Sequence, residues 1–181
     1  MAQDLNEASQ EISSCSHKSG LKKRQMDIRI DYLADDMNII SALARQHYNA
    51  FKDHNPVDSV ERRIVFLRKQ AGSRQIPMTL VAYSGDNPIG SASLTAHDMD
   101  TRPDLSPWLA TVCVAPEYRN QGIASALVKR AVQEAGKLGI KTLYLFTWDR
   151  ESLYARLGWS VFERGEYRGE QIVIMSIRAE S

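Results

Sequence analysis

The spacing of hydrophobic positions changes repeatedly along the chain, and each change predicts a new element of secondary structure. Apolar and polar residues alternate over 27–33, which predicts a half-buried strand. Apolar positions three and four residues apart then predict two amphipathic helices, at about 36–51 and 57–70. Residues 1–25 are rich in Ser, Gln, Glu and Lys and lack either spacing, so we expect a weakly ordered tail ahead of a single domain at 26–181.

The second half of the chain alternates short strands with helices. The helix predicted at 121–138 has an apolar stripe at Ile123, Leu127, Ala131, Ala135 and Leu138. Asp149 is placed to cap the next helix, and the last two strands are joined across Gly165 and Gly169. The predicted order is β-α-α-β-β-β-α-β-α-β-β, which indicates an α/β fold, a mixed sheet with helices on both faces. The strands are predicted at 78–83, 89–95, 107–114, 142–146, 159–163 and 172–177, and the helices at 121–138 and 151–157.

Composition narrows the class of protein. The 181 residues are 43% hydrophobic with a formal net charge of +1, which argues against nucleic acid and anionic membranes as partners. The four histidines are scattered without the spacing of metal ligands, so no metal is expected. Cys15 lies in the polar tail and Cys113 in an apolar strand, so a disulfide is not expected and a reducing, cytoplasmic location fits.

The most informative segment is 109–124, which reads as an apolar strand, a turn and the start of a long helix. The turn has the pattern Arg119-x-x-Gly122-x-Ala124. Glycine lets the backbone approach a ligand closely, and the helix that opens there directs free N–H groups and its positive dipole end at the turn. An anion, most often a phosphate, is the expected occupant.

This segment resembles motif A of the GNAT superfamily of N-acetyltransferases, and the resemblance extends over 26–178. It implies acetyl-CoA as cosubstrate and a cytoplasmic enzyme that acetylates a primary amine of a small molecule or a peptide. It also allows a homodimer. The resemblance places the pantetheine amides along the backbone of Val112, Cys113 and Val114. It assigns the pyrophosphate to Arg119, Asn120, Gln121, Gly122, Ile123, Ala124 and Ser125.

A second segment, Leu153-Tyr154-x-x-x-Gly158-Trp159, resembles the closing motif of the same family. The matching Tyr154 implies a general acid that protonates the departing thiolate, since an unperturbed phenol keeps its proton up to a pH of about 10. Many members carry an asparagine that contacts the coenzyme seven residues before this tyrosine. Here that position is Thr147, whose hydroxyl is a partial substitute.

Other parts of the site stay open at the level of sequence. The general base has three candidates, Asp98, Asp100 and Asp104, which could equally be solvated loop carboxylates or draw in a cationic acceptor. No activated nucleophile is evident, which favours direct transfer. Two rival functions remain, a non-catalytic acyl-CoA-binding module and a transferase of a longer acyl chain. The acceptor itself could be a small amine, amino acid, antibiotic, polyamine or protein.

Overall fold

The computed structural model describes residues 27–55 and 57–179, so the predicted tail at 1–25 lies outside the described residues. The described part contains seven strands and four α-helices. The strands are β1 (Ile28–Tyr32), β2 (Met78–Ser84), β3 (Asn87–Thr95), β4 (Trp108–Val114), β5 (Thr142–Thr147), β6 (Ser160–Tyr167) and β7 (Glu170–Arg178), and the helices are α1 (Ile40–Phe51), α2 (Val60–Lys69), α3 (Ile123–Lys137) and α4 (Glu151–Ala155).

All seven strands form one mixed sheet in the order β1-β2-β3-β4-β5-β7-β6. Neighbouring strands are antiparallel except β4 and β5, which are parallel. The parallel pair needs a crossover, and α3 provides it between them. The sheet therefore has its one parallel junction at its centre, beside the turn that leads into α3.

Helices cover both faces of the sheet, as the α/β prediction required. Side chains alternate along β2, so Leu80 packs with α3 in one apolar cluster while Val81 packs with α1 and α2 in another. A third cluster, which contains Trp108 and Ile174, lies under the loop between β3 and β4. The predicted element order is thus confirmed, and most of the observed boundaries lie within a few residues of the predicted ones.

The start of the first predicted helix is wrong. Two short 3-10 turns, Leu33–Asp35 and Met37–Ile39, precede α1 at Ile40. Asp36 interrupts the helix because its backbone is not helical (φ −145°, ψ 88°) and its side chain accepts the Asn38 N–H at 3.1 Å. The aspartate therefore closes a local turn and does not cap the longer helix.

Three smaller expectations are also corrected. Leu138 is 38% exposed because α3 ends at Lys137 and the chain reverses at Gly139 (φ 72°). Gly165 lies inside β6 opposite Ile172, so the last hairpin turns at Arg168 and Gly169. Asp149 does not cap α4, which begins without a side-chain cap, and in the turn before it the Thr147 hydroxyl oxygen accepts the Arg150 N–H at 3.0 Å.

Within 27–55 and 57–179, no helix has both the length and the apolar character needed to cross a bilayer. The same described residues contain no group of three or more His, Cys, Asp or Glu side chains arranged to hold a metal ion.

Candidate functional site

Strand β4 and its parallel neighbour β5 separate directly after a single pair of residues. Trp108 and Tyr144 are Cα partners, and no later pair joins the described residues of β4 and β5. On its other side, β4 shifts register against β3 between Ser91 and Ser93, where Thr111 has φ 48°. A bulge of this kind bends a strand. The second half of β4 therefore turns backbone groups toward β5 without a strand partner.

The turn that follows β4 leaves backbone donors free at the start of α3. Gly122 is the N-cap residue, with φ 83° and no side-chain cap. The first helical bond runs from the Ala126 N–H to the Gly122 carbonyl at 3.0 Å, so the N–H groups of Ile123, Ala124 and Ser125 precede the helical ladder. A Cβ on Gly122 would meet no heavy atom within 4 Å, so the space beside Gly122 is open. This arrangement suits a phosphate group.

One cavity of about 1020 Å³ connects the turn with the gap between β4 and β5. Its lining comes from both faces of the sheet, since it includes Ile123 from the α3 side and Phe66 from α2. Every predicted site residue except Gln121 lines this cavity, namely Val112, Cys113, Val114, Arg119, Asn120, Gly122, Ile123, Ala124, Ser125, Thr147 and Tyr154. Gln121 is exposed, and its side-chain amide donates to the Glu117 carbonyl at 3.3 Å.

Three of these side chains form hydrogen bonds with other parts of the protein. Arg119 Nε donates to the Val114 carbonyl at 3.1 Å, which ties the turn to the end of β4. The Thr147 hydroxyl oxygen accepts the Arg150 N–H at 3.0 Å in the turn before α4. The Cys113 thiol is buried and donates to the Gln46 carbonyl at 3.8 Å, and burial raises its pKa to about 11. A thiol with so high a pKa is a poor nucleophile at neutral pH.

Tyr154 is carried by α4 and is 8% exposed. Its ring packs edge-on against Trp159 at a centroid distance of 6.0 Å. Burial raises the pKa of Tyr154 to about 12, with Arg150 opposing the rise and Asp149 adding to it. The phenol is therefore protonated at neutral pH and can donate a proton into the cavity that it lines.

The three candidate bases occupy different environments. Asp98 lines the cavity, and burial raises its pKa to about 6 although Arg168 and Arg63 favour the carboxylate. Asp104 is exposed and accepts two hydrogen bonds from Arg102, at 2.9 and 3.0 Å. Asp100 is exposed and is not among the residues that line the cavity. Asp98 alone of the three faces the cavity, with a pKa suited to a base at neutral pH.

Sequence reasoning missed an aromatic wall of the cavity, formed by His54, Phe146, Trp148 and Tyr167. Phe146 packs against Tyr167 at 5.4 Å and against Trp148 at 5.2 Å between ring centroids. Trp148 stacks on His54 at 4.2 Å with an interplanar angle of 9°. Trp148 follows Thr147 in the segment of the closing motif, but that motif did not indicate an aromatic surface.

Sequence reasoning also missed the charged groups beside this wall. Arg63 and Asp58 form a salt bridge at 2.6 Å, and Arg63 lies over the Phe51 ring at 5.3 Å. Arg168, in the turn between β6 and β7, lines the same cavity. No local sequence pattern distinguishes Arg168 from other surface arginines, because its proximity to Asp98 arises only when the last hairpin folds against the loop after β3.

A family profile described as Acetyltransferase (GNAT) domain matches residues 76–161, which run from the start of β2 into β6 and include the turn and α4. Residues 76–161 therefore resemble a GNAT acetyltransferase domain. The match covers the separated strands, the uncapped start of α3 and Tyr154, whereas Phe66, Tyr167 and Arg168 of the cavity lining lie outside it.

Solved structures of acetyltransferases share the fold of this domain. One is yncA from Salmonella typhimurium with its cofactor acetyl-CoA, at 18% identity and a TM-score of 0.65, covering 86% of this chain and 95% of that chain. The aminoglycoside 6'-acetyltransferase type Ii has 15% identity and a TM-score of 0.66, covering 84% and 98%. PaiA N-acetyltransferase from Thermoplasma acidophilum, in complex with coenzyme A, has 20% identity and a TM-score of 0.58, covering 84% and 99%.

At these identities the structural matches establish a common fold and leave the acceptor open. Comparison with curated protein sequences finds no match. The acceptor of this domain must therefore be inferred from its own cavity.

Proposed function

We propose that this domain transfers an acetyl group from acetyl-CoA directly to a primary amine. The observation that carries the proposal is the continuous cavity, which joins the open start of α3, the gap between β4 and β5, and Tyr154. Such a cavity has room for a phosphate group, an extended arm and a second substrate in one connected space.

The chain offers acetyl-CoA two kinds of backbone contact. The N–H groups at the start of α3 follow the open space at Gly122 and suit the pyrophosphate. The unpaired edge of β4 at Val112–Val114 suits the pantetheine amides, which can occupy the place of a missing strand. When bound, acetyl-CoA supplies an acetyl group activated as a thioester.

Two side chains are suited to the proton transfers. Asp98 accepts a proton from the acceptor amine, whose nitrogen then forms a bond to the acetyl carbon as the bond from that carbon to sulfur breaks. Tyr154 donates its proton to the departing thiolate, and the two substrates leave as an N-acetylated amine and free coenzyme A. The high pKa of Tyr154 and the near-neutral pKa of Asp98 fit these opposite tasks.

No covalent acetyl-enzyme is needed in this scheme. Cys113 is the cysteine of the cavity wall, and its burial and raised pKa disfavour a thiolate. Both substrates are therefore expected to bind together before transfer occurs.

The proposal is tested by mixing the purified protein with acetyl-CoA and a panel of amines, and measuring release of free coenzyme A thiol. Mass spectrometry of each mixture then identifies the acetylated acceptor. Thiol release that depends on an amine, together with an N-acetyl product, supports the proposal. Tight binding of acetyl-CoA without transfer to any amine contradicts it and favours a non-catalytic module, and faster transfer from longer acyl-CoAs favours a different acyl donor.

A further inference from the structure

Asp58 and His54, beside the aromatic wall, are each paired with a charged side chain, whereas Asp98 and Arg168 are not, within the described part of the chain. Asp58 is bonded to Arg63 at 2.6 Å. His54 Nδ1 lies 2.9 Å from a carboxylate oxygen of Glu170. Among the described residues, Asp98 and Arg168 form no salt bridge, although both line the cavity.

Asp98 and Arg168 line the same cavity, and no salt bridge joins them among the described residues. The positive charge of Arg168 favours the charged form of the Asp98 carboxyl and so lowers its pKa, and Arg63 acts in the same direction, although burial of Asp98 raises the pKa more. The cavity therefore presents a carboxylate and a guanidinium that are not bonded to each other.

The guanidinium of Arg168 is held in place by an aromatic ring. Its central carbon lies 4.9 Å from the centroid of Tyr167, which is buried in the aromatic wall. Arg168 has φ 55° in the tight turn between β6 and β7, so its backbone is constrained as well. A guanidinium stacked on a ring keeps its edge N–H groups available for a bidentate bond to a carboxylate.

We propose that the acceptor is a free amino acid, whose amine lies at Asp98 and whose carboxylate lies at Arg168. This inference rests on the proposed acetyl transfer and specifies its substrate class. A ligand that carries both charges completes both unpaired groups at once, whereas a polyamine or an aminoglycoside would bring its additional cations toward Arg168. The aromatic wall then receives the side chain, which favours apolar amino acids.

The expectation of a cationic acceptor depended on three carboxylates, Asp98, Asp100 and Asp104, acting together. Asp104 does not support this expectation, because it accepts hydrogen bonds from Arg102, which also bonds Glu163 at 2.5 Å. Asp100 does not support it either, because Asp100 is outside the cavity lining. The charge pattern that supports the proposal is therefore one carboxylate, Asp98, together with one guanidinium, Arg168.

The first experiment compares matched acceptors with the wild-type protein and acetyl-CoA. The twenty standard L-amino acids are assayed beside their amides, and L-phenylalanine, L-phenylalaninamide and 2-phenylethylamine form one series with a common ring and amine. Aspartyl-alaninamide offers a side-chain carboxylate on a peptide. Spermidine and kanamycin represent polycations. The readout is kcat/KM from thiol release.

We expect at least one amino acid to exceed its amide by about 10- to 100-fold, the effect of one charge-assisted bond. Equal or faster transfer to the amides overturns the inference and leaves the proposed transferase intact. Preference for aspartyl-alaninamide over every free amino acid also overturns it and indicates a peptide acceptor. Transfer to none of the acceptors contradicts the proposed function itself.

The second experiment removes the guanidinium. Arg168→Gln should raise KM for the preferred amino acid about 10- to 100-fold more than it raises KM for the matching amide. Arg168→Lys retains the charge and should restore part of the affinity. Arg178→Gln removes the same charge from an exposed site on β7 outside the cavity lining, and should behave as wild type. An equal loss for acid and amide in Arg168→Gln would assign Arg168 a structural role.

Discussion

Trp108 is the Cα partner of Tyr144, and this pair is the one junction between the described parallel strands Trp108–Val114 and Thr142–Thr147. Beyond it the strands separate, and the cavity occupies the gap. The junction and the bulge at Thr111 together leave an unpaired backbone edge in the middle of the sheet. Unpaired edges are normally found at the outer strands of a sheet. The predictions below test how the groups around this gap act.

Replacing Gly122 by valine should weaken acetyl-CoA binding at least about tenfold, or about 1.4 kcal/mol. The residue has φ 83°, and a branched side chain would enter the open space at the start of α3. Isothermal titration calorimetry measures the change. Gly139→Val is the matched control, since that glycine has φ 72° at the other end of α3 and the same open surroundings. Equal affinity in a folded Gly122→Val protein would remove the turn from the binding site.

Tyr154→Phe should lower kcat about 10²-fold or more and leave acetyl-CoA affinity nearly unchanged. The substitution keeps the ring that packs on Trp159 and deletes only the proton donor. Steady-state kinetics with calorimetric titration separates the two effects. Tyr144→Phe, which removes a phenol outside the cavity lining, serves as the control. A rise in KM for acetyl-CoA alone would make Tyr154 a binding residue.

The pH dependence of turnover should show an ascending limb near pH 6 that belongs to Asp98. Its pKa of about 6 means that the basic carboxylate is present above that pH and is lost as pH falls. No descending limb from Tyr154 is expected until pH approaches its pKa of about 12. The amine of the acceptor contributes its own separate ionisation.

Asp98→Asn should abolish the limb near pH 6 and reduce kcat about 10²- to 10⁴-fold. Asp104→Asn is the control, because Asp104 is exposed and is bonded to Arg102. Persistence of the limb in Asp98→Asn would show that another group is the base.

Cys113→Ala should retain acetyl transfer and leave no covalent acetyl-enzyme to be trapped. The thiol is buried with a pKa of about 11, so a thiolate is scarce at neutral pH. Intact-protein mass spectrometry after mixing with acetyl-CoA alone provides the readout. An acetyl adduct on the wild-type chain that disappears in Cys113→Ala, together with lost activity, would indicate a two-step mechanism.

Glu134→Gln should lower the free energy of unfolding by about 1–3 kcal/mol. Glu134 lies on α3 and accepts hydrogen bonds from Tyr32, Arg130 and Lys137 at 2.7, 2.8 and 2.9 Å. Burial alone would raise the pKa of Glu134, but these bonds outweigh it and lower the pKa to about 2. Urea unfolding monitored by circular dichroism measures the change.

The same depressed pKa sets the pH window of this stabilisation. It is present above the unfolded value of 4.5 and is lost as pH falls toward about 2. Wild-type protein should lose this contribution across that window, whereas Glu134→Gln should not. Tyr32→Phe removes one of the three bonds and should have a smaller effect. A wild-type dependence that persists in Glu134→Gln would assign it to other carboxyls.

The sequence by itself determined the elements that depend on neighbours along the chain. The period of apolar positions predicted α3, and Gly122 predicted the open turn before it, because backbone freedom and helix ends are local properties. The family resemblance added Tyr154 and the residues of the turn. Local chemistry also misled at Asp149, because α4 begins without a side-chain cap and the Thr147 hydroxyl oxygen accepts the Arg150 N–H in the turn before it.

Only the tertiary structure decided which side chains share the cavity. Asp98 could not be separated from Asp100 and Asp104 by sequence, since the three differ in burial and not in type. Arg168 and the aromatic wall have no sequence signal, because they come together from segments that are distant along the chain. Burial and charge proximity are long-range consequences of folding, and they select both the proposed base and the proposed acceptor in this protein.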